Sequence, residues 1–145
     1  MKIIQATTEH LDALATLFDG YRVFYKQESN IEAAKVFLKE RITKQESVIY
    51  LAFIDNIAVG FTQLYPLFSS VSMKPIYLLN DLFINPNYRN KNIGTALINK
   101  AKVHCKEKGY IGLGIQTANT NPAQYLYQRE GFVLDNDLQM FWSNK

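Results

Sequence analysis

DLFINPNYRNKNIGTAL, from Asp81 to Leu97, is the stretch of this chain that decides its predicted fold. An apolar strand ends there in a short basic loop, and the loop leads directly into an amphipathic helix. The first backbone N–H groups of a helix lack intrahelical partners, and the helix dipole makes that end partly positive. Because the loop adds Arg89 and Lys91 at the same place, the stretch predicts a site for an anion such as phosphate.

Composition narrows the classes of protein to which the chain can belong. Its 145 residues suit one domain, residues 1–145, and 48% hydrophobic with 20% charged residues is typical of a globular protein with a buried core. A net charge of +3 is too small to indicate a nucleic-acid partner. The single cysteine, Cys105, excludes an intramolecular disulfide and a multi-cysteine zinc site, and we expect no bound metal.

Hydropathy gives no sign of a membrane protein. The longest apolar runs are far short of the roughly 20 residues that cross a bilayer. The first residues, Met1 to Gln5, lack the apolar core of a signal peptide. We therefore expect a cytoplasmic protein with no membrane partner.

Residue periodicity predicts an α/β fold with a mixed sheet. Predicted strands cover residues 2–6, 47–54, 57–64, 76–84, 111–116, 132–134 and 138–142. Predicted helices cover residues 7–21, 30–44, 93–108 and 122–129. Gly20 is expected to weaken or end the first helix, and Ser29 to Glu32 matches a capping box at the start of the second.

The six residues from Arg89 to Gly94 carry the first resemblance to a known family. They resemble the acyl-CoA pyrophosphate loop of the GNAT superfamily of N-acyltransferases, whose usual pattern is Arg/Gln-x-x-Gly-x-Gly/Ala between a strand and a helix. Arg89 and Gly94 match, whereas Asn92 stands where the first glycine is usual. After glycine, asparagine tolerates a positive φ most readily, so the loop can keep its shape. On these six residues alone, a solvated basic loop in front of an ordinary helix is an equal alternative.

A second motif, residues 121–132, looks like the closing helix and following strand of the same family. Tyr127 lies four residues before Gly131, where many members carry the tyrosine that faces the sulfur of CoA. Asn121 lies two residues before Ala123, whereas the family's asparagine lies three before it. Over residues 76–134 the resemblance is specific. It implies a GNAT-like mixed, mostly antiparallel twisted sheet flanked by about four helices.

The resemblance also implies an activity, which is direct transfer of an acetyl group from acetyl-CoA to a primary amine. The amine would be carried by a small molecule, a polyamine, an amino acid or a basic peptide. The residues that would bind acetyl-CoA are Leu82, Phe83, Ile84, Arg89, Asn90, Lys91, Asn92, Ile93, Gly94, Thr95, Asn121 and Tyr127.

Two residues are candidates for catalysis. Tyr127 is the candidate acid for the departing thiolate, with packing on a helix face as the alternative. Asp81 could remove the proton of the amine through an ordered water, or it could be a structural acceptor for loop N–H groups. Many members carry a Glu-Asp pair where this chain has Asn80 and Asp81, and an asparagine cannot act as a base.

The acceptor pocket and the oligomeric state are predicted from fewer residues. Candidate substrate-binding residues are Tyr21, Phe24, Tyr25, Glu28 and Asn80. Aromatic faces and a carboxylate suit a cation, although plain core packing of the rings is an equal alternative. Family members often dimerise through C-terminal strands, which makes Leu138 to Trp142 the expected homodimer contact.

Two other functions and three other candidate catalytic residues were considered. A non-catalytic acyl-CoA-binding sensor of the same fold remains open because of Asn80 and Asn92. A nucleotide-phosphate enzyme is disfavoured, since neither a P-loop nor a dinucleotide-binding fingerprint occurs. Cys105 lies on the inward side of a predicted helix and is interpreted as a core thiol. His10 and His104 lie on separate predicted helices with no triad pattern and are interpreted as structural.

Overall fold

The computed structural model describes residues 1–144. Its single five-stranded sheet has the order β1-β2-β3-β4-β5. The pairs β1-β2, β2-β3 and β3-β4 are antiparallel, and the pair β4-β5 is parallel. The elements are β1 (Lys2–Gln5), α1 (Leu11–Phe24), α2 (Ile31–Thr43), β2 (Val48–Ile54), β3 (Ile57–Ser69), β4 (Lys74–Ile84), α3 (Ile93–Lys108), β5 (Leu113–Ile115) and α4 (Ala123–Arg129), with 3-10 turns at Thr8–His10 and Pro86–Tyr88. The predicted fold class is confirmed.

Helices cover both faces of the sheet. Ile49 and Leu51 of β2 pack with Leu14 of α1 and Leu38 of α2. Tyr50 and Ala52, which alternate with them, pack against α3 on the opposite face. This alternation is the two-residue period of a strand buried on both sides.

The predicted capping box at the start of α2 is wrong. The N-cap of α2 is Asn30, whose Oδ1 accepts from the Ala33 N–H at 3.1 Å, while the Ser29 hydroxyl donates to Asp19 at 2.6 Å instead. Ser29 is therefore not a capping residue, because the buried carboxylate of Asp19 takes its hydroxyl. The shorter asparagine side chain reaches the free N–H groups from the next position.

Gly20 does not end α1, which continues to Phe24. A Cβ atom at this position would lie 3.2 Å from the ring of Phe83 in β4. The glycine therefore serves a close approach of helix to strand, and packing offsets its poor helix propensity.

The predicted C-terminal strands, residues 132–134 and 138–142, are absent, since residues 132–144 form no helix or strand. Their apolar side chains lie in solvent, with Leu134 88%, Leu138 85% and Trp142 80% exposed. A strand needs a neighbour to satisfy its backbone hydrogen bonds. Within residues 1–144, the three-residue strand β5 is the last of the sheet and no further strand joins it.

An irregularity in β4 shapes the surface beside β5. Gln63 of β3 pairs with Asp81, and the next residue, Leu64, pairs with Leu79, so Asn80 is the extra residue of a β-bulge. Pairing between β4 and β5 ends at Leu79. From Asn80 onward, β4 therefore has no strand on that side, and a cleft opens there.

Membrane-spanning helices and metal-ligand clusters are both absent from residues 1–144. No helix within residues 1–144 has the length and apolar character that spanning a membrane requires. The same residues contain no cluster of three or more metal-ligating His, Cys, Asp or Glu side chains.

Candidate active site

One cleft of about 920 Å³ gathers most of the predicted site residues. Its walls come from the end of β4, the loop before α3, the first turn of α3, α4 and the C-terminal part of α1. The predicted cofactor-binding residues that line it are Leu82, Phe83, Ile84, Arg89, Asn90, Asn92, Ile93, Gly94, Thr95, Asn121 and Tyr127. The predicted substrate-binding residues that line it are Tyr21, Phe24, Tyr25 and Asn80. Lys91, Glu28 and Asp81 do not line it.

The loop before α3 leads into a helix start with free backbone N–H donors. Asn90 and Asn92 both have φ of 62°, and Asn92 is the left-handed N-cap of α3 with no side-chain capping bond. The first intrahelical hydrogen bond runs from the Ala96 N–H to the Asn92 carbonyl. The preceding N–H groups, those of residues 93–95, are therefore free to bind an anion, and the expected positive φ at Asn92 is observed.

Arg89 is the cationic side chain at this end of the cleft. Its Nε–H donates to the Ile84 carbonyl at 3.2 Å, and its guanidinium lies 5.9 Å from the centre of the Phe83 ring. One face of the guanidinium is thus fixed against β4, and its other N–H groups remain for a phosphate. Lys91 is exposed in the same loop.

Tyr127 lies on the opposite wall, in α4. Its ring contacts Phe132 edge-on at 6.0 Å between centroids. Burial raises the pKa of Tyr127 to about 12, so its hydroxyl stays protonated at physiological pH and remains a hydrogen-bond donor.

Asp81 lies below the floor of the cleft. It is 1% exposed, and both carboxylate oxygens are occupied: Asn80 Nδ2 donates to Oδ1 and Gln63 Nε2 to Oδ2, each at 2.6 Å. Burial raises the pKa of Asp81, and these hydrogen bonds oppose that rise. The position gives a substrate in the cleft no direct contact with the carboxylate.

The end of the cleft nearest α1 is aromatic. Tyr21 packs edge-on against Tyr25 at 5.0 Å between ring centroids, and Phe24 packs on Tyr25 at 5.2 Å. The Tyr21 hydroxyl donates to the backbone carbonyl of Asn80 at 3.2 Å. Glu28 lies outside this end, and its own carbonyl accepts from Arg22.

The sequence interpretation missed several lining residues. Gln116 follows β5, Leu126 lies in α4 with Tyr127, and Glu130 is the C-cap residue of that helix. Helical spacing from Ala123 through Leu126 to Glu130 was the available signal, because it places them on one face of α4. Glu130 contacts Lys102, with its carboxylate 4.0 Å from the ammonium.

Cys105 and His104 lie outside the cleft. Cys105 is 5% exposed, and burial raises the pKa of its thiol, which disfavours a nucleophilic thiolate. His104 is buried between the hydroxyls of Tyr50 and Tyr77, at 2.7 and 3.1 Å from its two ring nitrogens. Both are core residues, in agreement with their interpretation from the sequence.

Comparison with known proteins decides the family. The model of the acetyltransferase (GNAT) family matches residues 11–132. The chain belongs to the GNAT family of acetyltransferases. The uncharacterized N-acetyltransferase YhfO of Bacillus subtilis (strain 168) is 46% identical to it over 136 residues, which cover 93% of this chain and 91% of that protein.

Solved structures agree with this assignment. The crystal structure of a probable acetyltransferase is 38% identical, covers 100% of both chains and superposes with a TM-score of 0.93. The aminoglycoside N-acetyltransferase AAC(6')-Iy in complex with CoA shares the fold, with 19% identity, coverage of 99% of this chain and 95% of that one, and a TM-score of 0.84. The GNAT enzyme described here is accordingly an acetyltransferase, and its cosubstrate is acetyl-CoA.

Proposed function

We propose that this GNAT acetyltransferase transfers the acetyl group directly to a primary amine while both substrates occupy the cleft. The observation that carries the proposal is the continuity of the cleft. One opening joins the donor-rich loop before α3 to Tyr127 and to the aromatic residues of α1. The lining residues of the described chain include no cysteine, serine or histidine that could hold the acetyl group as a covalent intermediate.

Each wall has a proposed role. The N–H groups of residues 93–95 and the guanidinium of Arg89 bind the pyrophosphate, and the free edge of β4 from Leu82 to Ile84 lies along the pantetheine arm. Bound acetyl-CoA would supply the acetyl thioester. Tyr127 donates a hydrogen bond to the sulfur as charge develops on it.

The amine must lose a proton before it can attack. A free alkylamine has a pKa of about 10.4, so it is mostly protonated at neutral pH. Because Asp81 is buried with both oxygens occupied, water in the open cleft is the proposed proton acceptor. The aromatic faces of Tyr21 and Tyr25 attract the cation before it loses that proton.

The acceptor is proposed to be a primary amine on a small molecule, a polyamine, an amino acid or a basic peptide. One enzyme that shares the fold, AAC(6')-Iy, is an aminoglycoside N-acetyltransferase, which supports a small-molecule amine. The test is CoA release from acetyl-CoA across a panel of amines, with the wild type and Tyr127→Phe side by side.

Wild-type activity on at least one amine, reduced in the Tyr127→Phe variant, would support the proposal. If acetyl-CoA stabilised the protein against heat while both proteins were equally inert on every amine, the chain would be a sensor of acyl-CoA. Thermal shifts with ATP and NAD are the matched controls, and neither is expected to stabilise the fold.

We further propose a homodimer formed through Leu138 to Trp142. Apolar side chains in this segment are left in solvent, among them Phe141, which is 88% exposed. Patches of this kind on a soluble protein mark interaction sites. Light scattering should give a dimer for the wild type and a monomer for Leu138→Lys with Trp142→Lys. A monomeric wild type would contradict the proposed homodimer.

The cytoplasmic location of the protein stays a prediction from the sequence.

A further inference from the structure

The β-bulge in β4 gives Asn80 a position unlike that of its neighbours. Leu79 and Asp81 are buried on opposite faces of the sheet, and Asn80 between them has no partner in β3. Its side chain is exposed and lines the cleft next to the aromatic residues of α1. Bulges beside active sites commonly redirect one side chain in this way.

A hydrogen bond to the buried Asp81 sets the orientation of the Asn80 side chain. Its Nδ2 donates to Asp81 Oδ1 at 2.6 Å. The structure thus places the amide nitrogen of Asn80, and not its carbonyl oxygen, against Asp81. The carbonyl oxygen Oδ1 of Asn80 is therefore the group left to face the cleft. Asp81 is itself held by Gln63 through its second oxygen, which leaves the pair little freedom.

We propose that Asn80 Oδ1 binds the amine of the acceptor and that Asp81 is a positioning residue which orients Asn80. This inference rests on the proposed function and deepens it. A carbonyl oxygen accepts an N–H of an amine or an ammonium group. Tyr21 lines the same cleft, and its hydroxyl donates to the Asn80 backbone carbonyl, which ties α1 to this part of β4.

The charges around this wall define the class of acceptor. Within residues 1–144, Glu130 is the one carboxylate that lines the cleft, and it already contacts Lys102. Glu28 stays outside. A pocket with aromatic faces and one neutral acceptor suits a molecule with a single ammonium group on an aromatic or apolar body. Polycations need several carboxylates to balance their charge, and this wall does not offer them.

Replacements of Asp81 distinguish a residue that positions Asn80 from a residue that acts as the general base. Asp81→Asn keeps an oxygen for Asn80 Nδ2 but cannot take a proton. Its new amide nitrogen can donate to Gln63 Oε1, which is buried without a hydrogen-bond partner in the described part of the chain, once the Gln63 amide turns over. Asp81→Ala removes the oxygen altogether.

The kinetic experiment uses 2-phenylethylamine as the acceptor and the variants Asn80→Ala, Asp81→Ala, Asp81→Asn and the double alanine variant. We expect each alanine variant to raise the KM for the amine about tenfold and to leave the KM for acetyl-CoA unchanged. The double variant should be no worse than Asn80→Ala, because the two residues act as one unit. Asp81→Asn should stay within about threefold of the wild type, with a pH profile of unchanged shape.

Three results would overturn the proposal: a wild-type KM for the amine in Asn80→Ala, additive losses in the double variant, or an Asp81→Asn variant as impaired as Asp81→Ala. The last result, with a lost acid limb in the pH profile, would identify Asp81 as the base. Thermal unfolding checks that each variant is folded. If Asp81→Ala does not fold, Asn80→Ala and Asp81→Asn still test the proposal.

A binding experiment separates this inference from the proposed function. The side-chain amide signals of Asn80 are followed by NMR in the CoA-bound protein during titration with 2-phenylethylamine and with spermidine. We expect them to shift with 2-phenylethylamine, with weaker binding of spermidine and about tenfold weaker binding of 2-phenylethylamine to Asn80→Ala. Binding without any acetyl transfer would reject the proposed function alone. No shift with either amine would overturn the role of Asn80.

Discussion

The Nε–H of Arg89 donates a 3.2 Å hydrogen bond to the backbone carbonyl of Ile84, which ties the cofactor loop to the last residue of β4. Arg89 lines the cleft, and its remaining guanidinium N–H groups are available to a phosphate there. Lys91, two residues later in the loop, is exposed and does not line the cleft. The two cations of the loop are thus predicted to differ in their contribution to CoA binding.

Arg89→Gln is expected to weaken CoA binding about tenfold, because it removes a charge-assisted contact to phosphate and the tie to Ile84. Lys91→Gln, which removes the same charge from the same loop, should weaken binding less than about threefold. Calorimetry with CoA at two salt concentrations measures both. Pantetheine, which lacks the pyrophosphate, is the control ligand, and its binding should not change. Equal losses in the two variants would show that only the net charge of the loop matters.

Tyr127→Phe is expected to lower kcat about 100-fold, since the variant loses a donor to the sulfur that is needed only as the C–S bond breaks. The KM for acetyl-CoA should change little. Because the pKa of Tyr127 is about 12, its hydroxyl stays protonated, and the wild-type rate should show no alkaline fall below about pH 10. A fall below that pH that disappears in Tyr127→Phe would mean that the tyrosine titrates and would contradict this assignment.

Asn92→Gly should preserve both the fold and CoA binding, whereas Asn92→Ala should cost about 1 kcal/mol of stability. The reason is the φ of 62° at this position, which glycine adopts freely and alanine resists. Asn99→Ala, on the exposed side of α3, is the matched control and should be neutral within about 0.5 kcal/mol. Denaturant unfolding measures the three variants. Equal stability of Asn92→Ala and Asn92→Gly would show that the loop adopts another conformation in solution.

His104 is expected to make the protein less stable at acid pH. Burial lowers the pKa of His104 from its ordinary value, and the nearby cation of Lys108 lowers it further. Its contribution to stability is fully present above the ordinary pKa of about 6.5. That contribution is lost as the pH falls toward the lower pKa of the folded state, because the unfolded chain takes up the proton first.

For this one group, the slope of the unfolding free energy against pH is positive in that window and has an upper limit of about 1.4 kcal/mol per pH unit. His104→Gln should be less stable at pH 7, because the hydrogen bonds to Tyr50 and Tyr77 are disturbed, and its slope below pH 6.5 should be smaller than that of the wild type. Urea unfolding at several pH values compares the two proteins. An unchanged slope in the variant would assign the acid sensitivity to other groups.

Local features of this chain were predictable because each depends on a few neighbouring residues. Asn92 was expected to tolerate a positive φ at the start of α3, as observed, and Gly109 is a residue type that suits the left-handed cap of α3, where its φ is 72°. Asp55 and Asn56 are residue types that suit the tight turn between β2 and β3, and both have positive φ. Backbone preference at such positions hardly depends on the rest of the fold.

The C-terminal strands show where this local logic fails. Leu138 to Trp142 has the composition of a strand, but composition does not provide a partner for backbone hydrogen bonds. Within residues 1–144, β5 is too short and lies at the edge, so the segment stays unpaired and exposed. The bulge at Asn80 could not be predicted from the sequence either, because it exists only in the pairing of β4 with β3.

By itself, then, the sequence determined the order of the main elements, the donor-rich loop at α3 and the family, since these depend on periodicity, turn residues and short motifs. Only the tertiary structure decided which side chains face the cleft. It placed Asp81 below the floor and Asn80 on its surface, although the two are adjacent in sequence. The physical reason is that burial is set by what packs against each side of a strand, and a single bulge changes which side a residue faces.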